Sequence, residues 1–161
     1  MNRSRKLLVF GGLALATIGM GYGLYYALFT EHQTLDGMGA ALATAFVRTA
    51  QRNLPQAHAA IDAFGRAKYT YVRQVDLHSH WIGLAMLMIV FGVVFDRVDF
   101  KEGTRCWLAL ALLAGSVLFP LGVIFETASP GAWFPSALAV AGSAVVTLAL
   151  AAVAWGFARA W

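Results

Sequence analysis

Hydrophobic residues in this chain gather into four long runs, from about Leu7 to Phe29, Leu77 to Phe95, Cys106 to Phe125 and Phe134 to Phe157. Each approaches or exceeds the roughly 20 residues that carry a helix across a bilayer core. A backbone in lipid must satisfy its own hydrogen bonds, so such runs predict helices. The alternating pattern of a membrane β-barrel is absent. The stretch between the first two runs, residues 30–76, has a different texture. Leu35, Met38, Leu42, Ala45, Phe46 and Thr49 recur at helical spacing. The segment "RNLP" then interrupts them, with Pro55 suited to the first turn of a new helix. Ala57, Ile61, Phe64, Lys68 and Tyr71 follow, again at helical spacing. Two amphipathic helices are expected here on the outer face, lying along the membrane surface or over the outer ends of the bundle. Nothing between Arg66 and Ile82 demands a break, so the second is free to run into the second span. The expected fold is all-α: a single membrane domain over residues 1–161, a four-helix transmembrane bundle with an external helical segment at 30–76.

Composition sharpens this picture. Of 161 residues, 60% are hydrophobic and 12% charged, with a mean hydropathy of +0.67, too apolar for an ordinary soluble domain. The first run has a basic start but meets no small-x-small cleavage site, so it is expected to be retained as a membrane helix. The net charge of +4 does not point to nucleic acid, because most lysines and arginines flank the apolar runs and form no stripe. Arg3, Arg5 and Lys6, then Arg97, Lys101 and Arg105, then Arg159 fall on one side of a four-span chain. The positive-inside rule then places both termini in the cytoplasm, in a multi-pass protein of the inner (cytoplasmic) membrane. Tyr25, Tyr26, Trp81, Trp107, Trp133 and Trp161 are expected to form interfacial belts. Cys106 is the sole cysteine, which excludes an internal disulfide and a thiolate metal cluster. Small residues suggest helix contacts at Gly19 and Gly23 and at Ala137, Ala141 and Gly142. Pro120 frees the Ser116 carbonyl within the third span and predicts a kink.

The chemistry-bearing residues concentrate near the outer ends of the spans. All four histidines fall between Glu31 and Trp81. Three have a carboxylate four residues away: His32 with Asp36, His58 with Asp62, His80 with Asp76. That spacing puts both side chains on one helix face, and a carboxylate commonly orients a metal-bound imidazole. The pair His58 and Asp62 reads as an ordinary surface pair. His78 and His80 stand at the start of a span, where polar groups are costly and often functional. Two residues apart on a regular helix, they point to nearly opposite sides and do not form one chelate. Glu126 ends the third span at the level where Asp76 begins the second, so His32, Asp76, His78, His80 and Glu126 are the candidate metal ligands, with Glu31 nearby. Nitrogen and oxygen donors of this kind suit copper, zinc or iron, and His78 and His80 are the candidate haem ligands. Met20, Met86 and Met88 are possible axial ligands but read better as core filling.

The stretch "DLHSHWIGLAMLMIVFGVVF" resembles helices of small membrane proteins related to the haem–copper oxidase subunit I and the nitric oxide reductase large subunit, through His78, His80 and Gly83. The resemblance covers about 20 residues. It implies haem held by helix histidines and a part in moving electrons and protons. The expected function is therefore haem or copper binding for electron transfer or metal handling, with zinc also open, inside a larger membrane complex. A non-catalytic accessory or assembly subunit is the alternative. Expected partners are the lipid bilayer and other membrane subunits or further copies of the chain. The sequence assigns no residue a catalytic role. There is no nucleophile elbow, P-loop or H-E-x-x-H, no ion-filter repeat, and no charge deep within a span.

Overall fold

The computed structural model describes residues 2–129 and 131–160. Trp161, one of the expected belt residues, lies outside them. The described residues are all-helical: α1 Arg3–Phe29, α2 Glu31–Ala50, α3 Leu54–Val94, α4 Glu102–Ala128 and α5 Trp133–Arg159, with a short 3-10 turn at Phe95–Arg97 after α3. Helices α1, α3, α4 and α5 are each long and apolar enough to cross a membrane. The segment after "RNLP" and the second span form one unbroken helix of 41 residues. The chain divides into two compact units, residues 1–20 with 77–161, and residues 21–76.

In the first unit, α1 runs antiparallel to α3. Arg5 Nε donates to the Gly92 carbonyl at 3.0 Å, and Gly12 and Gly19 lie against Ala85 and Trp81 respectively. Leu8, Gly12, Leu15 and Gly19 are buried on α1, and Leu77, Trp81, Ala85, Met88 and Gly92 on α3. Both series advance by alternating threes and fours for most of their length, the spacing of helices packed side by side along a seam. α1 is parallel to α4, with Ser4 beside Glu102 and Gly11 beside Leu113. α5 returns antiparallel along α4. Gly142, Val146, Ala149, Val153 and Gly156 are its buried face. A side chain on Gly142 would collide with the backbone of Phe119, and one on Gly122 with the backbone of Ala139. The small-residue surface read around Ala137, Ala141 and Gly142 is thus corrected: Gly142 is buried, whereas Ala137 and Ala141 are exposed on another face. Trp81 also departs from expectation. It is a core residue at 6% exposure rather than a belt residue, because Gly19 leaves room for it; Trp107 and Trp133 are 74% and 79% exposed. Pro120 is buried within α4, and the Ser116 hydroxyl one turn before it is buried without a hydrogen-bond partner among the described residues.

Polar contacts gather where the chain enters α1, leaves α3 and enters α4. The Ser4 N–H and hydroxyl donate to the two Glu102 carboxylate oxygens at 2.9 and 3.2 Å. Arg5 pairs with Asp96 at 3.2 Å, Arg105 donates to the Asp96 carbonyl at 3.0 Å, and Arg159 pairs with Asp99 at 3.5 Å. The three basic groups singled out in the sequence therefore share one end of the bundle.

In the second unit, α2 ends in a paired-bond reversal. The Arg52 N–H donates to the Thr49 carbonyl and the Asn53 N–H to the Arg48 carbonyl, both at 2.9 Å. This is the Schellman closure, and it puts Arg52 at φ 55°, a conformation that favours glycine. The Asn53 side chain then accepts the Gln56 N–H at 3.3 Å and starts α3, with Pro55 in the first turn as the sequence suggests. Ala45, Ala57 and Ala60 are buried in this unit, whereas Leu35, Leu42, Phe46 and Ile61 are exposed.

Two stability outcomes follow. Gly122→Leu forces a side chain into the Ala139 backbone and should destabilise the protein by about 1–3 kcal/mol or more, read as a lower melting temperature in detergent. Arg52→Gly removes the strain of a left-handed arginine, offset by glycine's greater chain entropy, and should raise stability by about 0.5–1 kcal/mol. A fall in melting temperature for Arg52→Gly would contradict this account of the turn.

Candidate functional site

His78 and His80 stand two residues apart on the same helix but meet different neighbours. Successive α3 residues rotate by about 100°, so a two-residue step carries the side chain to the other side of the helix. His78 is half-buried and faces α1, its Nδ1 2.9 Å from the Gly19 carbonyl oxygen. A carbonyl can only accept, so Nδ1 carries the proton and donates it. In the neutral ring, Nε2 is then the nitrogen with the lone pair. Gly19 makes this contact possible. An added Cβ there would lie 3.1 Å from both Trp81 Cβ and Ile82 Cδ1, so a larger residue would press the two helices apart at the level of the bond.

His80 is exposed and turns toward α4. Its ring meets Phe119 edge-on, with centroids 5.1 Å apart and planes at 84°. It lines an open groove of about 270 Å³ with Ser79, Gly83 and Leu84. The absence of a side chain at Gly83, one turn further along α3, leaves that face open beside the imidazole; beyond its chain neighbours and the backbone of its own helix, no atom lies within 4 Å of where its Cβ would be.

Glu126 is half-buried near the end of α4 and accepts a hydrogen bond from the Ser136 hydroxyl of α5 at 3.3 Å. That bond ties together the two helices on either side of the turn at Ser129 and Gly131. In the other unit, His32 is exposed on α2, and His58 and Asp76 are exposed on α3. Among the described residues, no three histidine, cysteine, aspartate or glutamate side chains stand where they could together hold one metal ion. Of the three candidate methionines, Met88 fills the core at 1% exposure, whereas Met20 and Met86 face outward. Cys106 is half-buried, its Sγ 3.7 Å from Glu102 Oε1.

The chain matches no protein-family model, and no curated protein or solved structure matches it.

Reading the sequence for histidines missed the cluster at the opposite end of the bundle. Ser4, Glu102 and Asp96 appear there as ordinary flanking residues, and only tertiary contact joins positions 98 residues apart. The charges in "DRVDFKEGTR" were a signal of orientation, and their balance of acids and bases was the clue to pairing. The backbone partner of His78 has no signature in the sequence beyond the glycine itself.

The His78 contact has a measurable weight. Interhelical hydrogen bonds in membranes are worth about 0.6 kcal/mol on average and up to about 2. His78→Ala should therefore lower stability by about that amount. His78→Asn places an amide N–H near the position of Nδ1–H and should recover part of the loss. Equal melting temperatures for the wild type and both variants would show that the bond does not form in the membrane protein.

Proposed function

We propose that the protein is an integral membrane haem- or copper-binding protein that takes part in electron transfer or metal handling within a larger membrane complex. The observation that carries the reading is the His78 imidazole, whose Nδ1–H is engaged by the Gly19 carbonyl. A hydrogen bond from one ring nitrogen to a backbone carbonyl is a usual support for a histidine that ligates through the other. It holds the ring and selects the tautomer that leaves the lone pair on Nε2. These donor properties fit a haem iron or copper ion, with zinc also within the range of an imidazole ligand. A bound haem or copper would supply one-electron redox chemistry. The chain's own contribution would be to hold the ligand nitrogen in a fixed orientation. His80 is the second candidate ligand, supported by its exposure on an open groove. Since the two imidazoles leave opposite sides of α3, each would need its remaining ligands from elsewhere, and another subunit of the complex is the natural source. His32 and Asp76 take no part in this assignment.

The same reading places the protein in the inner membrane with the basic end cytoplasmic, on the strength of the clustered arginines and lysines. The exposed apolar side chains of α2 and the first half of α3 would then lie on the outer face, against lipid or a partner. A cofactor-free accessory subunit remains the alternative, and the exposed small-residue face at Ala137 and Ala141 is what favours it, since a partner helix could approach there closely.

The test is an absorption spectrum with elemental analysis, on protein purified without chelator from cells supplied with haem precursor and copper. A Soret band or near-stoichiometric copper is expected. His78→Ala or His80→Ala should reduce that cofactor at least tenfold, and His58→Ala should leave it unchanged. Protein that carries neither group would sink the cofactor reading. If such protein migrates as a larger complex that Ala141→Leu disperses, the accessory reading takes its place.

A further inference from the structure

A groove of about 460 Å³ lies between α1 and α4 at the basic end of the bundle, lined by Arg3, Lys6, Leu7, Phe10, Cys106 and Leu113. Its size is that of a small-ligand site, roughly 300–1,000 Å³. Its lining is graded. Arg3 and Lys6 share one face of α1 at a three-residue spacing. Leu7 and Phe10 follow one turn further along the same face, and Leu113 of α4 closes the apolar end against Gly11. Charge therefore gives way to hydrocarbon along the direction in which α1 enters its apolar span.

The two cations are set apart from the others around them. Asp96 is engaged by Arg5, Asp99 by Arg159, and Glu102 by Ser4 and Arg105. These are the acids of the adjoining loop and helix start, and none of them pairs with Arg3 or Lys6. Both side chains are exposed and make no hydrogen bond or ion pair among the described residues. Two adjacent positive charges over an apolar slot complement one kind of molecule, in which an anionic phosphate is joined to a hydrocarbon chain.

We propose that this groove is a binding site for an anionic glycerophospholipid, with the headgroup phosphate held by Arg3 and Lys6 and an acyl chain lying against Leu7, Phe10 and Leu113. Basic pockets between membrane helices recognise anionic headgroups in this way. The bulk bilayer offers every exposed helix face an acyl chain, so what distinguishes this site is selection by headgroup. The apolar wall in turn distinguishes it from a site for free phosphate.

The test uses the full chain in mixed micelles that contain equal amounts of phosphatidylglycerol and phosphatidylcholine, with retained lipid counted by native mass spectrometry. The wild type should keep phosphatidylglycerol in preference. Arg3→Gln/Lys6→Gln should reduce that retention at least fivefold. Arg97→Gln/Lys101→Gln removes the same charge from the same end outside this groove and should leave the retention within twofold. Leu7→Ala/Phe10→Ala keeps both cations and should also weaken retention. Equal retention of the two lipids by the wild type overturns the proposal. So does an equal loss in the two charge-matched variants, which would mean that binding follows total charge. Displacement by inorganic phosphate, together with indifference to Leu7→Ala/Phe10→Ala, would assign the cations to a free anion and overturn it as well. All three variants alter surface positions or half-buried Leu7, and a melting curve for each separates lost binding from lost folding.

Discussion

Close approach of backbones at glycine is the contact on which this bundle depends. In lipid the hydrophobic effect does not draw one apolar helix to another, since the surrounding chains are as apolar as the helices. Association must come from dispersion at short range, and dispersion falls steeply with a gap of even half an ångström. Gly12 and Gly92 at the α1–α3 seam, and Gly115, Gly122 and Gly142 at the α4–α5 seam, remove the side chain that would hold the axes apart. What fills the space is informative. At Gly122 and Gly142 it is the backbone of the neighbouring helix, which cannot yield by changing a rotamer. At Gly11 it is the end of the Leu113 side chain, which can. The α4–α5 seam is accordingly the less tolerant of the two kinds of contact.

Glycine seams set distance but do little to set register, because a smooth surface slides. Register at one end comes from polar groups that accept only particular partners. Glu102 stands at the start of α4 and receives the N–H of Ser4 at the start of α1. The first N–H groups of a helix have no partner within it, and the positive end of the helix dipole favours an anion. Glu102 therefore serves as a cap supplied by a different helix, and it can do so only when α1 and α4 begin at the same level. Asp96, Arg5 and Arg105 extend the same constraint to the end of α3. These pairs are partly exposed, so their strength is modest. Their contribution is to penalise sliding, which would leave several charged groups at an apolar level without partners.

The elements of the fold were legible in the sequence because bilayer thickness imposes a length and helices impose a period. The four spans, the break at "RNLP" and the absence of a break before Ile82 are all local properties. Where the reading went astray, the deciding factor was which face a residue occupies. Ala137 and Ala141 are small residues, as Gly142 is, but the buried positions of α5 run through 142, 146, 149, 153 and 156, and residues 137 and 141 fall off that line. Trp81 has the composition of an interfacial residue, yet Gly19 opposite it opens a place in the core. Neither fact is local, since each depends on a residue of another helix. The candidate site was legible to the same degree. The opposed directions of His78 and His80 follow from helical geometry alone, whereas the partners of each, a carbonyl of α1 and a ring of α4, could be found only by packing the helices together.

The bond from His78 to Gly19 also bears on why an imidazole stands at this position at all. The Gly19 carbonyl belongs to the ladder of a continuous helix, so it already has a backbone donor, and His78 reaches its second lone pair. Removing the imidazole would leave no buried acceptor unsatisfied. An apolar side chain of similar size could pack against α1 without the cost of bringing a polar ring into the span. The stability gained from one interhelical hydrogen bond in a membrane, about 0.6 kcal/mol, is a weak reason to prefer histidine. The bond does have one consequence that no apolar residue could reproduce: it holds the ring and fixes the direction in which Nε2 points. Structural economy alone thus gives little account of His78, and the ligand role proposed for Nε2 would account for both the residue and its partner.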